Sequence, residues 1–335
     1  MYNIAQEAKV SVSTVSKVLS NAEYHVAEKT RQHILEVAEQ LGYSKLYKTY
    51  AKREHIGSSV AVIVPNILNP YYASLVTGLE GALQAGGMQM VLYNSRNSRE
   101  LEIKYATQLL DENLAGVIVA SICEQYDHIH KLIQKGLKVL AFEQQIDLKC
   151  NKVCFNYKKG GFMATDYLLQ KGKRKIGFVS SPLTRSSRKQ VYEGFLQAFR
   201  KHGLEPEQKY LRIAQKEEMA PNELFEYQNG MEQVREMIQS DSVPEAIFCI
   251  NDLTAIGVMK MLQNNGYKIP DDVGVIGFDN IHLSTMVLPT LTTIEQSTYE
   301  LGSMAAEILI GSIHDPGRNE VSFVLEPKLI VRESV

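Results

Sequence analysis

Polar and aromatic side chains stand directly after several apolar runs of the chain, where a binding site would need them. They are Asn69, Tyr71, Tyr72, Ser121, Glu143, Asn251, Asp252, Asp279 and Asn280. Carboxylates and amides can hydrogen-bond the hydroxyls of a polyhydroxylated small molecule, and aromatic faces can cover its apolar ring. Taken singly, Asp252 fits a helix cap and Asp279 fits a turn. The shared position of all these residues favours a binding cleft.

The apolar runs alternate with amphipathic segments in two successive series. Predicted strands span residues 60–65, 88–93, 116–120, 138–142, 175–180, 210–214, 246–250 and 273–278. Predicted helices span residues 72–86, 98–113, 124–135, 186–203, 228–240 and 252–266. Apolar strands joined by crossover helices indicate parallel sheets that are covered on both faces. Two such series predict an α/β fold of two similar doubly wound lobes, with a ligand bound at the carboxyl ends of the strands.

A second stretch with its own chemistry spans residues 10–20. Ser13, Thr14 and Lys17 place small hydroxyls and one cation opposite an apolar helical stripe. Ser11 is placed to cap such a helix, whose positive end would then favour a phosphate. This pattern suits a helix that lies in a groove of DNA.

Serine and valine alternate in the same stretch, which is equally typical of a half-buried strand. Its setting decides between the two interpretations. A short helix is predicted before it over residues 4–8, and an amphipathic helix is predicted after it over residues 28–41. The three segments form a helix-turn-helix whose second helix enters the DNA major groove, with Ser13, Thr14 and Lys17 at bases or phosphates.

Residues 44–58 are polar and basic. Lys45, Lys48 and Lys52 follow one another at three- to four-residue intervals, so a helix here would collect positive charge along one side for contact with phosphates. A solvated tether explains the same composition without any DNA contact.

The charge of the 335-residue chain is unevenly distributed. The net charge is -2, but residues 1–57 carry eight Lys and Arg against six Glu, which leaves +2 there and -4 in the remainder. A basic head on an acidic body fits polyanion binding by the head alone. We expect a helix-turn-helix domain over 1–43, a basic linker or hinge over 44–58, and a ligand-binding body over 59–335.

Signals for a membrane or secreted protein are missing. No apolar run approaches the roughly 18 residues of a membrane span, and the first residues lack the apolar core of a signal peptide. We therefore expect a cytoplasmic protein. Cys150 and Cys154 have no second cysteine pair beside them, which favours buried thiols over a zinc ribbon or a redox pair.

Motifs for catalysis are also missing. The sequence has no G-x-G-x-x-G after a strand, no phosphate-binding P-loop, no G-x-S-x-G and no H-E-x-x-H. His128 and His130 lie two residues apart, so on a helix they point to different faces, and we predict solvated histidines instead of metal ligands. We expect no metal, no cofactor and no enzyme activity, and the pattern indicates a sensor.

The order of these features resembles the lactose-repressor (LacI/GalR) family of bacterial transcription regulators over essentially the whole chain. The matching segments are Ile4–Ala8, Val10–Leu19, Thr30–Tyr43, Val62–Pro65, Asn69–Tyr72, Cys249–Asp252, Val275–Asn280, Pro289–Ile294 and Leu329–Ser334. The resemblance implies a two-lobed, periplasmic-binding-protein-like effector domain behind the helix-turn-helix. It also implies a homodimer that binds a pseudo-palindromic operator, with a DNA affinity that depends on a ligand in the cleft.

The resemblance also assigns roles to residues and bounds to the lobes. It implies base contacts at Val12, Ser13 and Lys17. It implies ligand contacts at Tyr71, Tyr72, Glu143, Asn251 and Asp279. The lobes it implies are about 59–156 plus 295–314, and about 157–290 plus 320–335.

The chain departs from the family pattern at three places. Lys52 stands where the family has a leucine that inserts into the minor groove, so electrostatic contact can take its place. Lys9 replaces the turn glycine; it serves if the turn does not require a positive φ, and it adds a phosphate contact. Val191 replaces a ligand-binding arginine, for which Arg185 or Arg188 can substitute from nearby.

The sequence thus predicts a DNA-binding transcriptional regulator, a repressor, whose operator affinity is controlled by a sugar or sugar phosphate. Residues 277–287 also resemble a catabolite-control regulator, which responds to a phosphorylated carrier protein, and this is the alternative. A sugar-binding protein would need an export signal and no helix-turn-helix. A sugar enzyme would need an acid–base pair or a phosphate loop.

Overall fold

The computed structural model describes residues 5, 7–11, 14–15, 18, 26–40, 59–142, 148–217 and 224–335. The chain divides into two compact units, Met1–Ser58 and Ser59–Val335. Within the described residues no helix is both long enough and apolar enough to span a bilayer.

The first unit has a small apolar core. Its described buried residues are Ala5, Ala8, Val15, Val18, Ile34 and Val37. Thr14, Val15 and Val18 are helical, so the strand interpretation of this stretch is wrong at these positions. The backbone N–H of Thr14 donates to Ser11 Oγ at 3.0 Å, which confirms the predicted helix cap. Helix α1 spans Glu28–Gln40.

Lys9 lies in the turn between the two helical segments. Its φ is +51°, in the left-handed region that glycine adopts at no steric cost. The turn therefore requires a positive φ. A lysine adopts this conformation only with backbone strain, so Lys9 does not replace the glycine without cost.

The second unit contains eight described helices. They are α2 Pro70–Ala85, α3 Arg99–Gln108, α4 Asp127–Gln134, α5 Tyr157–Gln170, α6 Ser186–Lys201, α7 Phe225–Gln239, α8 Asp252–Asn264 and α9 Thr298–His314.

Twelve strands of the described residues form two six-stranded sheets. The strands are β1 Ser59–Val64, β2 Gln89–Asn94, β3 Gly116–Val119, β4 Lys138–Phe142, β5 Asn151–Phe155, β6 Ile176–Ser180, β7 Leu211–Ile213, β8 Ala246–Cys249, β9 Gly274–Asp279, β10 Thr292–Glu295, β11 Ser322–Leu325 and β12 Lys328–Ile330.

The two sheets define two lobes of the same architecture. The first sheet has the order β11-β5-β4-β3-β1-β2 and the second has the order β12-β10-β9-β8-β6-β7. All pairings are parallel except that of β10 with β12. This is the α/β arrangement that the sequence predicts. Strand β11 belongs to the first sheet, which corrects the expectation that residues 320–335 lie wholly in the second lobe.

The paired helices of each lobe approach closely through glycine. A Cβ on Gly194 of α6 would lie 2.0 Å from the carbonyl oxygen of Lys158 in α5, and a Cβ on Gly161 of α5 would lie 2.1 Å from that of Val191 in α6. Because both positions lack a side chain, the two backbones touch and the sheet behind them is covered. All four cysteines are buried and unbridged, as predicted.

Candidate functional site

A cavity of about 70 Å³ lies between the lobes of the second unit. Its walls come from Asn69, Tyr71, Tyr72, Tyr157, Arg185, Ser187, Arg188, Val191, Glu226, Ile250, Asn251, Phe278, Asp279 and Gln296. These residues lie at the carboxyl ends of the strands and at the starts of the helices that follow. The topology of both sheets brings these ends together.

Helix α2 supplies the part of the wall that belongs to the first lobe. Asn69 caps this helix, because its Oδ1 accepts from the backbone N–H of Tyr71 at 3.0 Å. The rings of Tyr71 and Tyr72 pack edge to face with centroids 5.1 Å apart, and both side chains are buried. The cap and the ring contact fix two phenol rings at the cavity, where they can cover the apolar face of a ligand.

The second lobe supplies an amide and a carboxylate. Asn251 Oδ1 accepts from the backbone N–H of Thr254 at 2.9 Å, so this side chain caps α8 and also lines the cavity. Asp279 Oδ1 accepts from Gln296 Nε2 at 2.6 Å, and Tyr71 donates its hydroxyl to Gln296 Oε1 at 3.4 Å. Gln296 therefore connects the two lobes at the cavity wall.

Two arginines, Arg185 and Arg188, also line the cavity. Arg188 donates to both carboxylate oxygens of Glu217, at 2.7 and 3.3 Å, and Arg185 donates to Glu217 Oε1 at 3.1 Å. Burial raises the pKa of Glu217, but the charges of Arg185 and Arg188 outweigh it and lower the pKa to about 2. Arg185 and Arg188 thus bring two guanidinium groups near Val191, the position at which the family has an arginine. Arg185 also donates to Asn97 Oδ1 at 2.9 Å, and Asn97 belongs to the first lobe.

Glu226, in the first turn of α7, is a cavity residue that the sequence pattern does not reveal. It lines the cavity with 3% of its surface exposed, and among the described residues no hydrogen-bond partner meets its Oε2. A buried acceptor without a partner is costly unless something else satisfies it, and here that group can be a ligand hydroxyl. In the sequence, the only indication that Glu226 lines the cavity is its position after β7, and this strand has just three residues.

Tyr157, Phe278 and Gln296 also line the cavity without having been predicted as ligand contacts. The rings of Tyr157 and Phe278 are stacked, with centroids 6.4 Å apart and an interplanar angle of 21°. Tyr157 opens the helix that follows β5, a strand that the apolar pattern does not reveal.

Three other predicted cleft residues lie outside the cavity wall or outside the described residues. Ser121 is buried outside the cavity wall and donates to Glu102 Oε1 at 2.5 Å. Glu143 lies outside the described residues. Asp252 does not line the cavity; it accepts from Thr293 Oγ1 at 2.5 Å and from the N–H of Ile281 at 2.9 Å, and burial raises its pKa to about 6. It joins the start of α8 to β10 and to the loop after β9.

One further expectation is wrong. His128 is not solvated: it is buried in α4, and its Nε2 lies 2.8 Å from Glu102 Oε1. His130, two residues on, is exposed. As their spacing predicts, the two side chains lie on different faces of α4, but the face of His128 is buried within the lobe.

Only two of the predicted DNA contacts are described. Lys9 is exposed in its turn, and Thr14 is partly buried with its Oγ1 2.7 Å from Ser11 Oγ. The others lie outside the described residues: Val12, Ser13, Lys17, Lys45, Lys48 and Lys52.

Sequence comparison places the two units in one family. Residues 1–45 match the model for bacterial regulatory proteins of the lacI family, and residues 57–327 match the model for periplasmic binding proteins and the sugar-binding domain of the LacI family.

Similar proteins agree with this match. The chain is 29% identical to the HTH-type transcriptional repressor PurR of Mannheimia succiniciproducens over 99% of the chain and 97% of that protein. It is 30% identical to catabolite control protein A of Priestia megaterium over 92% of the chain and 91% of that protein.

A solved structure shares the architecture of the second unit. It is a periplasmic binding protein/LacI transcriptional regulator from Alkaliphilus metalliredigens, complexed with D-xylulofuranose. It matches with a TM-score of 0.72 and 28% identity over 83% of this chain and 99% of that one. With a helix-turn-helix unit, two parallel-sheet lobes and family matches along almost its whole length, the chain belongs to the lacI family of bacterial regulatory proteins.

Proposed function

We propose that this regulator is a cytoplasmic transcriptional repressor, that it binds a pseudo-palindromic operator as a homodimer, and that a small carbohydrate in the cavity controls its operator affinity. The observation that carries the proposal is the cavity between the lobes, where amides, carboxylates and guanidinium groups meet four aromatic rings. The hydroxyls of a sugar need polar groups as hydrogen-bond partners, and the apolar faces of its ring pack against aromatic side chains.

The charges favour an uncharged sugar over a sugar phosphate. Arg185 and Arg188 are balanced within the cavity wall by Glu226 and Asp279. Glu217 pairs with both arginines from outside the wall, so no positive charge is left over for a phosphate. The xylulofuranose that the similar solved structure contains is likewise an uncharged sugar.

Control of DNA binding requires that the ligand favours one arrangement of the lobes over another. Contacts that cross the cavity provide this sensitivity, because Tyr71, Gln296 and Asp279 form one chain of hydrogen bonds from the first lobe to the second. A ligand that inserts between these groups changes how tightly the lobes close. In the DNA-binding unit we assign phosphate or base contacts to Thr14, Lys17 and Lys9, and to the basic side chains of Lys45, Lys48 and Lys52.

Calorimetric titration with neutral pentoses and hexoses and with their phosphates tests the ligand class. We expect one neutral sugar to bind at one site per chain. Asn251→Ala removes both the cavity amide and the cap of α8. Asn251→Ser removes the amide but keeps a capping hydroxyl. Loss of sugar binding in both variants would therefore show that the amide recognises the sugar and does not act only through folding of α8.

Binding of sugar phosphates alone would contradict the proposal. If no carbohydrate binds, the second candidate is control by a phosphorylated carrier protein. The 30% identity to catabolite control protein A is the observation that favours this candidate.

A further inference from the structure

Glu102, Cys123 and His128 come together inside the first lobe, outside the cavity. One carboxylate oxygen, the thiol sulfur and one imidazole nitrogen all lie within 4.8 Å of one another. The three side chains come from three places in the chain: α3, the loop after β3 and the first turn of α4. All three are more than nine-tenths buried, and Glu102 has no exposed surface.

These three groups are the ligand types of zinc in proteins. Zinc binds thiolate sulfur at about 2.3 Å and imidazole nitrogen or carboxylate oxygen at about 2.0–2.2 Å, in tetrahedral geometry. On such a tetrahedron two ligand atoms are separated by about 3.2–3.7 Å. The Nε2 of His128 and Oε1 of Glu102 are 2.8 Å apart, so a shift of about 1 Å in these side chains opens a position for the ion.

The charge of the cluster also fits a divalent ion. A Zn²⁺ ion held by one carboxylate, one thiolate and one neutral imidazole forms an assembly without net charge, which a buried site tolerates. Hard ions such as Mg²⁺ and Ca²⁺ prefer all-oxygen sites, so the thiol and the imidazole disfavour them.

Neighbouring groups already orient the carboxylate. Ser121 donates its hydroxyl to Glu102 Oε1 at 2.5 Å, and the backbone N–H of Ile122 donates to Oε2 at 2.9 Å. Metal sites use such outer hydrogen bonds to fix their ligands. The same loop is joined to α3 by an ion pair between Arg99 and Glu124, with N and O 3.2 Å apart.

We propose that Glu102, Cys123 and His128 form a zinc site in the first lobe. On binding, the thiol of Cys123 loses its proton to solvent, and His128 presents the lone pair of Nε2 with its proton on Nδ1. The fourth position is taken by water or by the hydroxyl of Ser121. The ion ties α3, α4 and the loop after β3 to one centre.

Titration of the untagged, reduced and metal-free full chain with Zn²⁺ tests the proposal. We expect one ion per chain and a higher melting temperature with Zn²⁺. Cys123→Ser and His128→Gln should bind at least about 100-fold more weakly, because loss of an outer partner alone costs 10–100-fold. Cys150→Ser, which changes a buried thiol elsewhere in the same lobe, should bind like the unaltered chain.

Cobalt provides a second readout, since Co²⁺ bound to a thiolate absorbs in the near ultraviolet. We expect this band in the unaltered chain and in Cys150→Ser, and its loss in Cys123→Ser. A cobalt complex without the sulfur band overturns the proposal, and so does equal Zn²⁺ affinity in all four proteins. If Cys123→Ser does not fold, as far-ultraviolet circular dichroism would reveal, His128→Gln makes the same comparison.

Discussion

Arg185 in the second lobe donates to Asn97 Oδ1 in the first lobe at 2.9 Å. The contact bridges the two lobes from the arginine side of the cavity. Asn97 has φ of +56°, so its backbone takes the left-handed conformation that asparagine tolerates better than most residues. This contact between the lobes therefore depends on a backbone position that few residue types adopt readily.

Removal of this contact should open the lobes. Asn97→Gly deletes the acceptor and keeps the backbone conformation, so a loss of about 1 kcal/mol should move the equilibrium about fivefold toward the open form. Small-angle scattering of the unliganded protein should then give a larger radius of gyration. Arg96→Gly, at the adjacent residue with φ of +52°, is the matched control and should leave the scattering unchanged. Identical curves for both variants would show that the contact does not hold the lobes.

The ion pairs of Glu217 should make stability depend on pH. The folded-state pKa of about 2 lies below the ordinary 4.5, so the stabilisation is present above pH 4.5 and is lost as the pH falls toward 2. The shift corresponds to about 3 kcal/mol. Glu217→Gln should therefore unfold at lower urea concentration than the unaltered protein at pH 7, and the difference should shrink at pH 3. A difference that stays constant with pH would rule out this origin.

Glu226 should contribute strongly to ligand affinity. Glu226→Gln keeps the shape of the side chain but removes the charge of the acceptor, which should weaken sugar binding by about 2 kcal/mol, or roughly 30-fold. Calorimetry measures this directly. Glu232→Gln, on the exposed face of the same helix, is the control and should bind normally. Unchanged affinity in Glu226→Gln would remove this residue from the site.

The strained turn at Lys9 predicts a stabilising substitution. Lys9→Gly should stabilise the first unit by about 1 kcal/mol, because glycine adopts a positive φ without steric cost. Hydrogen exchange of a peptide covering residues 26–40 should slow about fivefold. Lys9→Ala retains the strain and should show no such gain. Both variants should reduce the salt dependence of DNA binding by about one unit if Lys9 contacts a phosphate.

Apolar runs predicted the sheets because both faces of a central parallel strand are covered. The eight strands predicted in this way are all present, with their ends shifted by at most one residue. Strand β11 is largely exposed at the edge of the first sheet, and β5 begins with the polar pair Asn151 and Lys152. Each has only three consecutive apolar residues, Val153–Phe155 in β5 and Phe323–Leu325 in β11, and so short a run does not predict a strand.

The candidate site was predictable where it follows a recognisable strand. Tyr71, Asn251 and Asp279 follow strands of this kind, and the structure brings them to one cavity. Tyr157 follows β5, and Glu226 lies well beyond β7 in the sequence, with residues outside the described part between them. The pairing of Ser121 and His128 with Glu102 depends on side chains far apart in the sequence, which no local pattern encodes.

Sugar-dependent binding to a specific operator can be measured by selection of duplexes from a random pool with the full chain, at two salt concentrations and then with neutral sugars. We expect enrichment of a two-fold symmetric site whose binding one neutral sugar strengthens or abolishes. We also expect Lys17→Ala to weaken this binding. An enriched site that no sugar affects would contradict control by the cavity, and the absence of any enriched site would contradict sequence-specific binding by the chain alone.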